Sequence, residues 1–113
     1  MDAAKRHSTA QQSPPKTMNV ISFSLWGDLP IYNVGAVENA KLRRLLYPGW
    51  TCRFYVDASV PPQTLSALRA HAADIVEMDA EAGFKRLFWR FLPAQERDVD
   101  RFIVRNCVSA TLR

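Results

Sequence analysis

The sequence predicts an α/β fold, a parallel four-stranded sheet with a helix between each pair of successive strands. Three observations carry the prediction. Short runs rich in β-branched and aromatic residues recur four times along the chain. Longer stretches with helical apolar spacing or helix boundary signals separate them. Glycine and proline punctuate the joints. Regular alternation of this kind implies parallel strands covered by helices, and 113 residues hold one such domain.

Residues 1–17 (MDAAKRHSTAQQSPPKT) contain almost no large apolar side chain and carry Ser13-Pro14-Pro15 near their end. They predict a disordered leader ahead of a domain over 18–113. Met18 opens directly onto an apolar run and is a candidate functional start. The first strand covers 19–26 (NVISFSLW) and stops at the turn Gly27-Asp28-Leu29-Pro30. A helix follows over 33–46, with Asn33 as N-cap and Tyr47-Pro48-Gly49 as its stop. The second strand is 51–56 (TCRFYV), closed by Asp57. Pro61-Pro62 open a second helix, because the first helical N–H groups have no partner for proline to remove. Leu65, Leu68 and Ala72 give that helix an apolar face.

Residues 75–78 (IVEM) form a short third strand. The third helix has the clearest pattern: Phe84, Leu87, Phe88, Phe91 and Leu92 share one helical face, and Pro93 ends it. Lys85 and Arg86 then fall on a solvated face. Residues 101–106 (RFIVRN) form the fourth strand. The whole reads as a Rossmann-like βαβαβαβ sheet. With right-handed crossovers its strand order is 3-2-1-4, with a switch point between the first and fourth strands. Ligands of such sheets bind at the carboxyl ends of those strands. Ser24-Leu25-Trp26-Gly27 and Asn106-Cys107-Val108 are thereby expected on opposite sides of one crevice.

Composition narrows the function. The net charge is +4, and half of it sits in the leader, so the body lacks the strong basic surface of a nucleic-acid binder. Cys52 and Cys107 form no CxxC and suit a reducing compartment, the cytoplasm. No apolar run reaches membrane-spanning length. The stretch after the first strand, WGDLPIYNVG, has no GxGxxG, and GxxxxGK[ST] is missing from the chain, so the standard NAD and Walker A loops are excluded. His7 and His71 have no third partner for a metal site or a catalytic triad.

Five stretches together carry a resemblance: SFSLWG, YNVGAVENAKLRRLLYPGW, FYVD, GFKRLFWRFL and VDRFIVR. In this order they resemble the N-terminal half of bacterial glycosyltransferases of the GT-A, nucleotide-diphospho-sugar transferase type, over residues 18 to about 105. The resemblance implies a partial GT-A domain that binds a nucleotide sugar, UDP-linked, with Mn²⁺ or Mg²⁺ held by an Asp-x-Asp motif after the fourth strand. Hard cations take oxygen ligands, and the metal neutralises charge on the leaving diphosphate. Here Arg105 and Ser109 match the motif R-D-x-D-S-R. Asn106 stands at the first aspartate, Val108 at the second and Ala110 at the arginine. Asparagine brings one neutral oxygen to a metal and valine none. The reading is of a truncated or degenerate glycosyltransferase, the donor-binding half without the acceptor half.

Nucleotide-binding candidates follow from position and from the resemblance. Ser24 and Leu25 would offer backbone groups to the base, and Trp26 either packs beside the base or fills the core. Asn33 either approaches the donor or caps its helix. The resemblance implies that Asp57 meets base or ribose and that Arg90 reaches the nucleotide. Their plainer alternatives are a loop cap and an arginine with its stem on the core. Asn106 is the metal-side candidate, and no catalytic residue is assigned. A second function class remains open: a non-enzymatic α/β module whose exposed fourth strand pairs with a partner protein.

Overall fold

The computed structural model describes residues 4–7 and 18–108, with side chains described for 18–79 and 85–108. Five strands form one sheet: β1 (Ala4–His7), β2 (Met18–Leu25), β3 (Thr51–Val56), β4 (Asp74–Met78) and β5 (Val99–Val104). Helices α1 (Pro30–Leu46) and α2 (Pro62–Ala70) join β2 to β3 and β3 to β4, and a 3-10 helix over Ala80–Gln95 joins β4 to β5. The order across the sheet is β1-β4-β3-β2-β5. Strands β2 to β5 are all parallel. The four predicted strands therefore lie in the predicted order 3-2-1-4.

Strand β1 falls inside the stretch read as a leader and pairs antiparallel with β4. The remainder of that leader lies outside the described residues.

The alternation of side chains sorts two cores. Ile21, Phe23 and Leu25 of β2, with Cys52, Phe54 and Val56 of β3, pack under Ala36 and Ala40 of α1 and Leu68 of α2. Phe23 and Phe54 are register partners, and their rings stack at 4.5 Å. The opposite face holds Tyr55, Val76 and Met78 against Trp89 of the 3-10 helix. Both faces of the central strands are covered, which explains their nearly unbroken burial. The first two connections move outward from β2 in one direction and the third returns past it. Right-handed crossing then requires the third connection on the other face, where the 3-10 helix lies.

Three predicted details change. Helix α1 starts at Pro30 with Leu29 at the N-cap and no side-chain cap bond, so Asn33 is inside the first turn. Proline at N1 sets the start, because its fixed φ suits a helix and its missing N–H would have no partner there. The last strand runs over Val99–Val104, two residues earlier than read, because Val20, Ile21 and Ser22 of β2 pair with Phe102, Ile103 and Val104. The third helix is a 3-10 helix rather than an α-helix and runs two residues past Pro93. Three residues per turn replace the i, i+4 face by an i, i+3 stripe. Trp89 is buried and Arg86 and Leu92 are half-buried along that stripe, while Leu87, Phe88 and Phe91 are exposed. Phe84 lies outside the residues whose side chains are described. Among the described residues, no helix is long and apolar enough to cross a membrane.

Arg53, on β3, is fully buried. Its Nε donates to Asp74 (2.7 Å), one Nη to Glu96 (2.7 Å) and the other to Asp98 (2.9 Å). The Tyr55 hydroxyl donates to the same Glu96 oxygen at 2.8 Å. Burial opposes the guanidinium charge, but Asp74 and then Asp98 outweigh it and hold Arg53 charged. Burial, reinforced by the Glu96 carboxylate, pushes the Tyr55 phenol above its ordinary range. Cys52 and Cys107 are free and buried. Burial pushes each thiol from about 9 up to about 12, with Arg43 opposing at Cys52 and Arg90 at Cys107.

Two outcomes follow. Replacing Arg53 by alanine leaves three carboxylates around an uncompensated hole and is expected to cost about 3–5 kcal/mol. That is a large part of an ordinary domain's stability, and urea unfolding monitored by tryptophan fluorescence reads it. Glu96→Gln leaves the bonds from Arg53 to Asp74 and Asp98 and costs much less. The thiols also set an alkaline limit. Each ionises near 9 when unfolded and near 12 when folded. Their contribution is full below 9 and is lost as pH rises toward 12. Unfolding curves between pH 9 and 10 should show stability falling, by up to about 1.4 kcal/mol per pH unit per thiol. A Cys52→Ala, Cys107→Ala double variant flattens that slope.

Candidate functional site: a cleft at the switch point

Strand β2 ends at Leu25, and the chain turns at Gly27 with φ +79°, a left-handed conformation that glycine adopts without strain. The turn is held from both sides. The Gly27 N–H donates to Ser59 Oγ at 2.7 Å, and Ser59 donates its hydroxyl and N–H to Asp57 Oδ1. Asn33 Nδ2 donates to the carbonyls of Gly27 (3.1 Å) and Leu29 (3.0 Å), tying the turn to α1. On the far side of β2, the chain leaving β5 passes directly against α1. A Cβ on Gly35 would overlap the Cys107 carbonyl oxygen and lie 2.9 Å from that of Val108. Glycine at 35 therefore permits this crossing.

Between these stretches lies a cleft of about 540 Å³. The tip of β2 supplies Ser24, Leu25 and Trp26, and residues 106–108 form the facing wall. Asp28, Leu29 and Tyr32 close one side, with Leu87 and Arg90 of the 3-10 helix on the other. The crevice expected between positions 24–27 and 106–108 is the space observed.

Ser24 Oγ accepts the backbone N–H of Arg90 at 3.1 Å, which fastens the 3-10 helix to the tip of β2. The Arg90 guanidinium has no acceptor for its buried Nε–H, and its central carbon lies 5.9 Å from the Phe91 ring centroid. Trp26 is gripped by neighbours: Trp89 meets it edge-on at 6.3 Å, and the Arg86 guanidinium lies 5.7 Å from its ring centroid. Arg86 also donates to Asp57 Oδ2 at 3.1 Å. It is half-buried rather than on the solvated face read from the sequence, because the three-residue turn moves it to the Trp89 stripe.

Of the candidate residues, Ser24, Leu25, Trp26, Arg90 and Asn106 line the cleft. Asn33 and Asp57 are buried outside its lining, and both Asp57 oxygens are engaged by Ser59 and Arg86. Tyr32 also lines the cleft, because α1 starts at Pro30 and puts it beside the β2 turn, whereas a start at Asn33 leaves it in the loop. The 3.6-residue period places Leu87 on an apolar helical face, whereas in the structure it is exposed at the cleft.

Asn106 Oδ1 accepts the Val108 N–H at 3.1 Å. Positions 106 and 108 therefore offer one occupied amide oxygen and no carboxylate, which does not fit Mn²⁺ or Mg²⁺. Asp28, exposed at the rim, is the one carboxylate among the described lining residues. Cys107 is neutral at ordinary pH and donates weakly to the Ser24 carbonyl, so it is no nucleophile. Among the described residues, no group of three or more His, Cys, Asp or Glu is placed to hold a metal ion. The described lining brings together an aromatic ring, a strand tip and one arginine. The chain matches no protein-family model, no curated protein and no solved structure.

Gly35→Ala should move residues 106–108 off α1 and destabilise the fold by about 1–3 kcal/mol. In the native parent, Cys107 is expected to resist iodoacetamide at pH 8. In the variant it should be alkylated measurably faster, which mass spectrometry of the digested protein reads.

Proposed function

We propose that this chain binds a nucleotide sugar, UDP-linked, in the cleft, as the donor-binding part of a GT-A type glycosyltransferase domain. The observation that carries this reading is the coincidence of the cleft with the switch point between β2 and β5. Doubly wound sheets bind their ligands there, because the loops diverge and leave a crevice at the strand ends. The volume suits a ligand of nucleotide size. A held indole, Trp26, offers a face or edge to a base, and its peptide group, just beyond the end of β2, can hydrogen-bond to the base edge. Arg90 supplies a positive charge for phosphate. The order of the stretches from SFSLWG to VDRFIVR resembles that of the family.

A second reading has its own observation. Among the described residues β5 is an outer strand of the sheet, and Phe102, Ile103 and Val104 are only partly covered. An open parallel edge of this kind can take a strand from a partner protein.

The amide ¹⁵N–¹H spectrum of the chain, titrated with UDP in Mg²⁺, decides between them. Shifts confined to 24–28, 87–90 and 106–108 are expected, and Trp26→Ala should weaken binding about tenfold. A dispersed spectrum that ignores UDP would overturn the nucleotide reading and leave the edge strand as the working surface.

A further inference from the structure

We infer that the cleft takes the charge of a diphosphate directly on Arg90, without a divalent cation between protein and phosphate. The inference rests on the nucleotide reading above. Its grounds are the donor groups that the cleft holds.

A metal bridge needs paired carboxylates at the end of β5. Asn106 and Val108 stand there, and the one amide oxygen accepts a bond from Val108 N. The negative charge of a diphosphate then needs a cation from the protein itself. Of the other buried or half-buried arginines among the described residues, Arg105 lies outside the cleft lining and the rest are committed. Arg53 is held by three carboxylates at the opposite ends of the strands. Arg86 is paired with Asp57. Arg43 donates to the Trp50 carbonyl.

Arg90 differs. It lines the cleft, and its Nε–H is buried with no acceptor. A buried unpaired donor costs stability, and an incoming oxyanion would satisfy it. Two features prepare the residue for that. Its backbone N–H is fixed on Ser24 Oγ, so the guanidinium is delivered from a fixed point at the tip of β2. Its planar fork presents parallel N–H groups suited to two phosphate oxygens at once, which a lysine ammonium does not. Asp28 is the opposing charge, but it is exposed, where solvent and salt screen it.

The test titrates the full chain with uridine, UDP and inorganic pyrophosphate, each in EDTA and in Mg²⁺, by calorimetry and by the Arg90 Nε–H resonance. UDP should bind in EDTA with an affinity within a few-fold of that in Mg²⁺, and the Nε–H signal should move. Arg90→Met should weaken UDP about 10- to 100-fold, down to the level of uridine, while Arg90→Lys falls between. Arg90→Met removes an unsatisfied donor, so its urea midpoint should equal or exceed the parent's. A merely structural arginine would lower it.

UDP binding that requires Mg²⁺, or Arg90→Met binding UDP like the parent, overturns the inference and leaves the nucleotide reading intact. Pyrophosphate binding that depends on Arg90, with uridine and UDP both inert, keeps the anion site and sinks the nucleotide reading. No binding of any of the three overturns both.

Discussion

One buried guanidinium organises this molecule. Arg53 reaches from the centre of the sheet to Asp74 at the start of β4 and to Glu96 and Asp98 in the loop before β5. It also touches the Met18 sulfur at the start of β2. The segments joined are as many as 45 residues apart in sequence. A charge this deep survives only if every donor is matched, since removing water from an ion costs several kcal/mol. The three carboxylates must therefore sit where the fork points, and that requirement fixes how the 3-10 helix leaves the sheet and where β5 begins. The Met18 N–H bond to the Asp98 carbonyl continues the same joint into the β2–β5 pairing.

Pinning the amino ends of the strands leaves the carboxyl ends to diverge. There the chain uses contacts of a different kind: a left-handed glycine, an aspartate holding a serine, an asparagine inside a helix bonding two carbonyls, and a glycine whose missing side chain lets two backbones meet. None of these fills the space between β2 and residues 106–108. The cleft is the space these contacts leave open. Arg53 and Arg90 illustrate the division. Both have buried donors on the same sheet face, yet one is held by acids and the other keeps a buried N–H without an acceptor.

Much of this was legible. Runs such as NVISFSLW and TCRFYV announce strands because β-branched and aromatic side chains suit a pleated, two-sided burial. Proline pairs and Pro-Gly stops mark helix limits through their fixed φ or missing N–H. Right-handed crossing then constrains strand order. The crevice between Ser24–Gly27 and Asn106–Val108 followed from topology alone. The third connection differs because an i, i+3, i+4 apolar pattern does not itself say whether a turn holds three residues or 3.6. The difference sends Leu87, Phe88 and Phe91 outward and brings Arg86 and Trp89 in.

By itself, then, the sequence determined the class of fold, the order of its strands and the position of the crevice at the switch point, because propensity, periodicity and handedness act locally or through connectivity. Only the tertiary structure decided which polar groups are satisfied. Nothing near Arg53 in the sequence names Asp74, Glu96 and Asp98 as its partners. Nothing near Asp57 shows that Arg86 occupies one of its oxygens, and nothing near Arg90 shows that its Nε lacks an acceptor. Such facts depend on which distant atoms arrive within 3 Å in the absence of water, a condition set by the packing of the whole chain.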